Sequence, residues 1–338
     1  MSEKITLQQI ADKLGVGKAT VCRALKDHPN VSEATRQLVK KTAVTMGYTK
    51  DPAISNMAHY RWPNRLSSQS LVIAAIASKR YEASFPEIRY RSAHAMADVL
   101  GYRVDEFYLS DYPNPMRLHG ILSSRGIQGL LIGPLYGEQL PCAFWDNFTS
   151  VLYGQSWFKP PLHEVLPDHF MGVRKAISEI RKCGYKNIGL LLDRPLLADD
   201  NDLRLGAFLM ETTGPSSTMK GHVLRGDNVP PEKLRTWITR NKLELVICLS
   251  HENLKLLQLA GYSVPDQIGF VSLNVPNDNP SSPAMAGLNL QPDVVGRASV
   301  TLLDSLLRQN EKGIPNHQIR LLIEPCWISG PTIHALHT

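Results

Sequence analysis

The stretch "ITLQQIADKLGVGKATVCRAL", residues 5–25, decides how this chain is read. Thr6 is placed to cap a helix in which Leu7, Ile10, Ala11 and Leu14 recur at helical spacing. Gly15 ends that helix with a tight turn. A second short helix opens at Lys18 and runs to about Lys26, with Val21, Ala24 and Leu25 on its inner side. After the loop "DHPNV", Ser32 caps a third helix, with Leu38, Val39, Ala43 and Met46 inward and Gly47 as its stop. Helix, glycine turn and helix form a helix-turn-helix. Its second helix lies in the DNA major groove with its first residues against base edges. Lys18, Ala19, Thr20, Cys22 and Arg23 would then face DNA, while Val21, Ala24 and Leu25 hold the helix on its partners. The competing reading is a three-helix protein-interaction module whose charges are merely solvated.

Charge placement favours the first reading. The first 65 residues hold 11 Lys or Arg and 5 Asp or Glu, against 26 of each in the rest of the chain. The whole excess of +6 therefore sits in the first fifth of a 338-residue chain, as a basic module on a neutral body. That distribution points to a polyanion such as nucleic acid. Cys22, Cys142, Cys183, Cys248 and Cys326 are scattered and odd in number, which fits free thiols in a reducing cytosol rather than a disulfide framework. "MSEKITLQQI" lacks the apolar core of a secretory signal, and no apolar run approaches the ~18 residues of a membrane span. A cytoplasmic protein without membrane partners is expected.

Residues 48–70 are polar and broken by prolines, and read as a linker with a short helix opening at Asp51-Pro52. From residue 71 apolar strands alternate with amphipathic helices: "LVIAAIAS", "YRVDEFYL", "IQGLLIGPL", "KNIGLLLD", "LELVICLS" and "IGFVSLN" are strands between helical stretches. This pattern belongs to α/β folds with parallel sheets. The elements exceed one ordinary sheet, so two α/β lobes are expected. The final helix, "PDVVGRASVTLLDSLLRQ", and one final strand, "QIRLLIEPCWI", complete them.

At this point the residues resemble a known family. "IADKLGV", "ATVCRAL", "VSEATR" and "MGY" follow in the order and spacing of the head-piece of LacI/GalR bacterial transcription regulators. The resemblance implies a head-piece at 1–50, a hinge and linker at 51–70 and an effector-binding, dimerising core at 71–338. It implies a core of periplasmic-binding-protein type, doubly wound and parallel. Its N-lobe takes about 71–166 plus 295–325, and its C-lobe about 167–292 plus 326–338. It also implies a homodimer on a pseudo-palindromic double-stranded operator, repression as the usual output, and a small effector, most often a sugar. Lys18 and Ala19 fall where the family sets operator preference, and Thr20 and Arg23 match the family residues. Cys22 replaces the usual Ser and Lys26 the usual Asn. Thr6, Leu7, Gly17, Asn30, Ser32 and Thr35 complete the implied DNA-contacting set. In the hinge, Ile54 stands at the family's Ala position and Met57 at the leucine that wedges into the minor groove.

For the effector, the resemblance points to Arg204 in "LRLGAF", His251 in "CLSHENL" and Asn274 in "FVSLNVP". His251 and Asn274 depart from the family's Asn-Asp and Asp, which argues against a standard hexose. Phe85 and Trp157, near strand ends, could stack on a ring or simply fill core. No phosphate loop, G-x-S-x-G, H-E-x-x-H or paired-Cys metal motif occurs, so neither catalysis, cofactor nor metal is expected. The alternative to a regulator is a cytoplasmic sugar-binding protein without a role on DNA.

Overall fold

A computed structural model of the chain describes residues 5–25, 31–46, 71–78, 84–133, 135, 140–153, 161–193, 198–214, 217–276 and 284–335. The linker and hinge therefore lie outside the described residues, as do Lys26, Asn30, Ile54, Met57 and Trp157. The chain divides into two compact units, Met1–Gln69 and Ser70–Thr338.

In the first unit, α1 (Leu7–Leu14), α2 (Lys18–Ala24) and α3 (Glu33–Thr45) enclose a small core. Thr6 Oγ1 accepts from the Gln9 amide and the Gln9 side chain accepts from the Thr6 amide at 2.7 Å, a reciprocal cap. Gly15 takes φ +64°, a left-handed conformation that only glycine adopts freely, and turns the chain into α2. Ser32 caps α3 by accepting from the Thr35 amide. Ile10, Ala11, Val21, Ala24, Val31, Val39 and Ala43 are buried together. Leu38, expected inward, is instead 53% exposed. Val39 and Ala43, four residues apart, define the buried face of α3, and Leu38 stands one position round from it.

The second unit holds two six-stranded sheets. The first runs β11-β5-β4-β3-β1-β2, with β1 (Leu71–Ala77), β2 (Tyr102–Tyr108), β3 (Gly129–Ile132), β4 (Thr149–Tyr153), β5 (His163–Pro167) and β11 (Arg320–Ile323). All its pairings are parallel. The second runs β12-β10-β9-β8-β6-β7, with β6 (Asn187–Leu192), β7 (Lys220–Arg225), β8 (Leu245–Cys248), β9 (Gly269–Ser272), β10 (Ala286–Asn289) and β12 (Cys326–Ile328). Only β12 is antiparallel to its neighbour. Helices α4 (Ser84–Val99), α5 (Pro115–Ser124) and α10 (Pro292–Gln309) belong with the first sheet. The second sheet carries α6 (His169–Lys182), α7 (Ala198–Thr213), α8 (Pro231–Asn241) and α9 (Asn253–Leu259). α10 approaches α4 closely at Gly296, where a Cβ would lie 2.2 Å from the Arg89 carbonyl oxygen.

Four strands go beyond the sequence expectation: β4, β5, β7 and β10. β5 is fully buried yet contains His163 and Glu164, which disguise it as a polar connection. β10 is too short and too rich in small residues to stand out. The expected single strand "QIRLLIEPCWI" is two strands in different sheets. Between them Glu324-Pro325 carries the chain across, and Pro325 has no N–H to continue a ladder.

The chain crosses between the sheets three times: from β5 through Asp168 into α6, from β10 through Gln291 into α10, and from β11 into β12. These segments are bonded together. The Asp168 amide donates to the Ile323 carbonyl at 2.8 Å, and Lys175 Nζ donates to the Pro325 carbonyl at 3.0 Å. Each crossing leaves the carboxyl end of a strand, so the crossings tie the carboxyl edges of the two sheets to each other. Ligands of open parallel sheets bind at such edges.

Candidate nucleic-acid interface and candidate ligand edge

On the head-piece the division of labour is visible residue by residue. Val21 and Ala24 are fully buried. Lys18, Ala19 and Arg23 are exposed on α2, and Thr20 and Cys22 are half-buried beside them. Gly17 precedes α2 without a side-chain cap. Thr6, Gly17 and Ser32 are exposed, while Leu7 and Thr35 are half-buried. Arg36 is neutralised by Glu33 at 3.0 Å. An exposed guanidinium and ammonium on a helix locked by its apolar side form a surface that can meet phosphate and base edges.

In the core, strand register aligns a polar row that periodicity alone does not show. Leu191 pairs with Cys248, Cys248 with Ser272, and Ser272 with Gly287. Two residues further along, Asp193, Ser250, Asn274 and Asn289 therefore share one level at the carboxyl edge of four neighbouring strands. Asp193 Oδ2 accepts from Asn253 Nδ2 at 2.6 Å. Ser250 Oγ accepts from the Glu252 amide at 3.2 Å. The Asn274 amide is held by Ser272 Oγ at 3.2 Å, and Asn289 Oδ1 accepts from the Gln291 amide at 2.6 Å. Beneath the row, burial pushes the Cys248 thiol well above its ordinary range, and nearby Asp193 adds to this.

Arg204 is 6% exposed and His169 7%. Arg204 Nη2 lies 3.0 Å from His169 Nδ1. His169 starts α6 directly after the first crossing, and Arg204 lies in α7. Glu211 joins the same helices, accepting from Arg174 at 2.9 Å and from Arg181 at 3.1 Å. The Arg174 hydrogen bond holds the Glu211 carboxyl below its ordinary value of 4.5, against burial and with help from Arg181. A lowered folded-state value means a contribution that is complete above the unfolded value and lost as pH falls. Glu211→Gln should therefore lower the melting temperature by a constant amount at neutral pH, and the gap to wild type should close below pH 4.5. Thermal melts between neutral and acid pH check this.

Across the crossings, the first sheet offers aromatic and cationic groups. Buried Arg89 donates from Nη1 to the Tyr153 carbonyl at 3.2 Å, with its guanidinium 5.8 Å from the Tyr153 ring centroid. Burial lowers Arg89 to about 10 and raises Tyr153 to about 12, so at neutral pH they stay cationic and neutral.

Of the residues expected to hold an effector, Arg204, His251 and Asn274 all lie in the second lobe. Asn274 stands in the polar row and half-buried His251 directly follows it at Ser250. Arg204 faces His169. Phe85 lies in the first turn of α4, its side chain outside the described residues. Asp193, His169, Asn253 and Arg89 were not singled out by sequence. The usable signal was the first polar residue after each apolar strand, which finds Asp193 after "NIGLLL" and Ser250 after "VICL".

A three-helix head-piece followed by a two-sheet core with three crossings defines the class: a helix-turn-helix protein with a core of periplasmic-binding type. Residues 6–51 match the family described as bacterial regulatory proteins, lacI family. That match covers the three-helix head-piece and not the core. It is 23% identical over 197 residues to the NTD biosynthesis operon regulator NtdR of Bacillus subtilis (strain 168), covering 56% of each chain. The chain spans about half the length of the curated relatives it matches. In fold it is similar to the transcriptional regulator CelR–cellobiose complex, with 18% identity, TM-score 0.57, and 97% of this chain and 100% of that one covered. It is also similar to the lac repressor dimer bound to operator and the anti-inducer ONPF, with 18% identity, TM-score 0.58, and 98% and 99% covered. Among the described residues no helix is long and apolar enough to cross a membrane.

Proposed function

We propose that this chain is a sequence-specific transcription regulator, acting as a repressor in the cytoplasm, whose operator affinity is set by a sugar or sugar derivative bound at the carboxyl edges of its core. One observation carries the reading. Lys18, Ala19 and Arg23 stand exposed on a helix whose other side is fully buried, in the part of the chain that holds the entire charge excess. The relatives support the two halves of the reading, since one solved structure holds an operator and another cellobiose. In the proposed assembly two copies place one head-piece each on a pseudo-palindromic site. Ligand binding biases how the two lobes close about their three crossings, and so changes DNA affinity. Among the core residues, Arg204, His251 and Asn274 contribute on the second-lobe side.

Selection of bound fragments from random DNA by the full chain should recover sites with two-fold related halves, and a chain lacking residues 1–69 should recover none. A sugar-binding protein without a role on DNA predicts that neither chain enriches any sequence.

A further inference from the structure

The row at the carboxyl edge of the second sheet contains two unmet acceptors. Asp193 Oδ1 and Asn274 Oδ1 are both buried, and neither has a hydrogen-bond partner among the described residues. The other oxygen of Asp193 is already fixed by Asn253, and the backbone of Asn274 is fixed by Ser272. The Asp193 carboxylate is thus oriented by its second oxygen. A buried acceptor left unpaired destabilises the protein by itself. Two of them on one level, at the edge where an open parallel sheet receives its ligand, mark the positions where the ligand supplies donors.

We propose that Asp193 sets ligand selectivity in this core: with Asn274 it accepts hydrogen bonds from hydroxyl or amino groups and turns away carboxylates and phosphates. The proposal rests on reading this edge as the ligand site, as above. The chemistry follows from charge and valence. A carboxylate oxygen accepts and cannot donate, so a sugar hydroxyl or an ammonium satisfies it. A ligand anion placed against Asp193 would meet like charge without a proton to share, which disfavours it strongly. The predicted class is a polyhydroxyl ligand, neutral or amino-bearing. Asp193 follows β6 outside any helix, and nothing in the strand pattern requires a carboxylate there.

The test uses the full chain and thermal melts with cellobiose, glucose, glucosamine, glucuronate and glucose 6-phosphate. A neutral or amino sugar should raise the melting temperature, while glucuronate and glucose 6-phosphate should not; a larger shift with glucosamine than with glucose assigns an ammonium to Asp193. Asp193→Asn keeps an oxygen for Asn253, so its ligand-free melting temperature should match or exceed that of wild type. Its affinity for the stabilising sugar should fall about 10- to 100-fold, the usual effect of losing one hydrogen bond to a charged group. If Asp193→Asn fails to fold, Asn274→Ala, which removes the second acceptor, should show the same loss of affinity with the fold retained. Three results overturn the proposal: an acid or phosphate that stabilises as well as any sugar, both variants binding as wild type, or no compound in the panel raising the melting temperature. Operator binding is measured alongside. If it is absent while the sugar selectivity holds, the regulator reading falls and this assignment stands. If a sugar shifts operator binding but both variants respond as wild type, the reverse is true.

Discussion

Arg23→Ala should weaken binding to a selected operator by about 10- to 100-fold, with the fold of the head-piece unchanged. Arg23 is exposed on α2, and the residues that hold that helix, Val21 and Ala24, are fully buried, so truncating it removes no packing. What it removes is the fork of donors that can meet both acceptors of a guanine, worth about 1–3 kcal/mol of discrimination. The loss should be larger on the selected site than on random DNA, and Arg23→Lys should not restore it, because an ammonium is a point donor rather than a fork. Lys18→Ala gives the useful contrast. If Lys18 meets phosphate, its loss weakens all sequences alike and reduces the slope of log affinity against log salt by about 1. Fluorescence anisotropy on specific and random duplexes over a salt series separates the two.

The second large effect is expected at Arg204. Arg204→Lys keeps the positive charge but shortens the reach toward His169 and loses the planar donor set. An arginine only donates, so the His169 nitrogen facing it accepts; the variant loses that hydrogen bond. A loss of about 2 kcal/mol in stability follows for a hydrogen bond to a charged group, read as a lower denaturation midpoint. The larger consequence is expected in ligand response. Arg204 and His169 bind α7 to α6, and α6 begins at a crossing between the sheets, so their separation uncouples the ligand edge from the crossings. Sugar-dependent change in operator affinity should disappear, whereas operator binding without sugar should remain near wild type. Isothermal titration and anisotropy on the same preparation measure both.

How much of this was legible in the sequence depended on how local the signal was. The head-piece is written in contiguous residues: a cap at Thr6, a turn at Gly15 and apolar positions three and four apart. One residue was misplaced there, Leu38, because an apolar side chain next to Val39 looks inward by composition while only one of the two can share the buried face with Ala43. The alternating strands and helices were equally plain wherever strands were uninterrupted apolar runs. They failed where burial contradicted composition. β5 hides His163 and Glu164 by giving them partners at Glu311 and Arg320. β10 is four residues long and spans "AGLN", which carries little apolar area. The ligand edge was least legible, since Asp193, Ser250, Asn274 and Asn289 are brought level by strand register across a span of nearly a hundred residues, and no local pattern encodes register between distant strands. Arg204 and Asn274 were reached only through family resemblance. His169, which faces Arg204, comes from a different helix and could be found only in three dimensions.

Ligand-controlled regulation requires that one chain couple a ligand edge in the core to a DNA-reading face on the head-piece. The most direct measurement is the affinity of the full chain for its selected operator, titrated by fluorescence anisotropy with and without the sugar that most raises its melting temperature. The predicted result is tight, steeply salt-dependent binding that changes at least about tenfold on adding the sugar, the range of ordinary coupling between two sites. Binding that is indifferent to sequence, or an operator affinity that the sugar leaves unchanged, would contradict it.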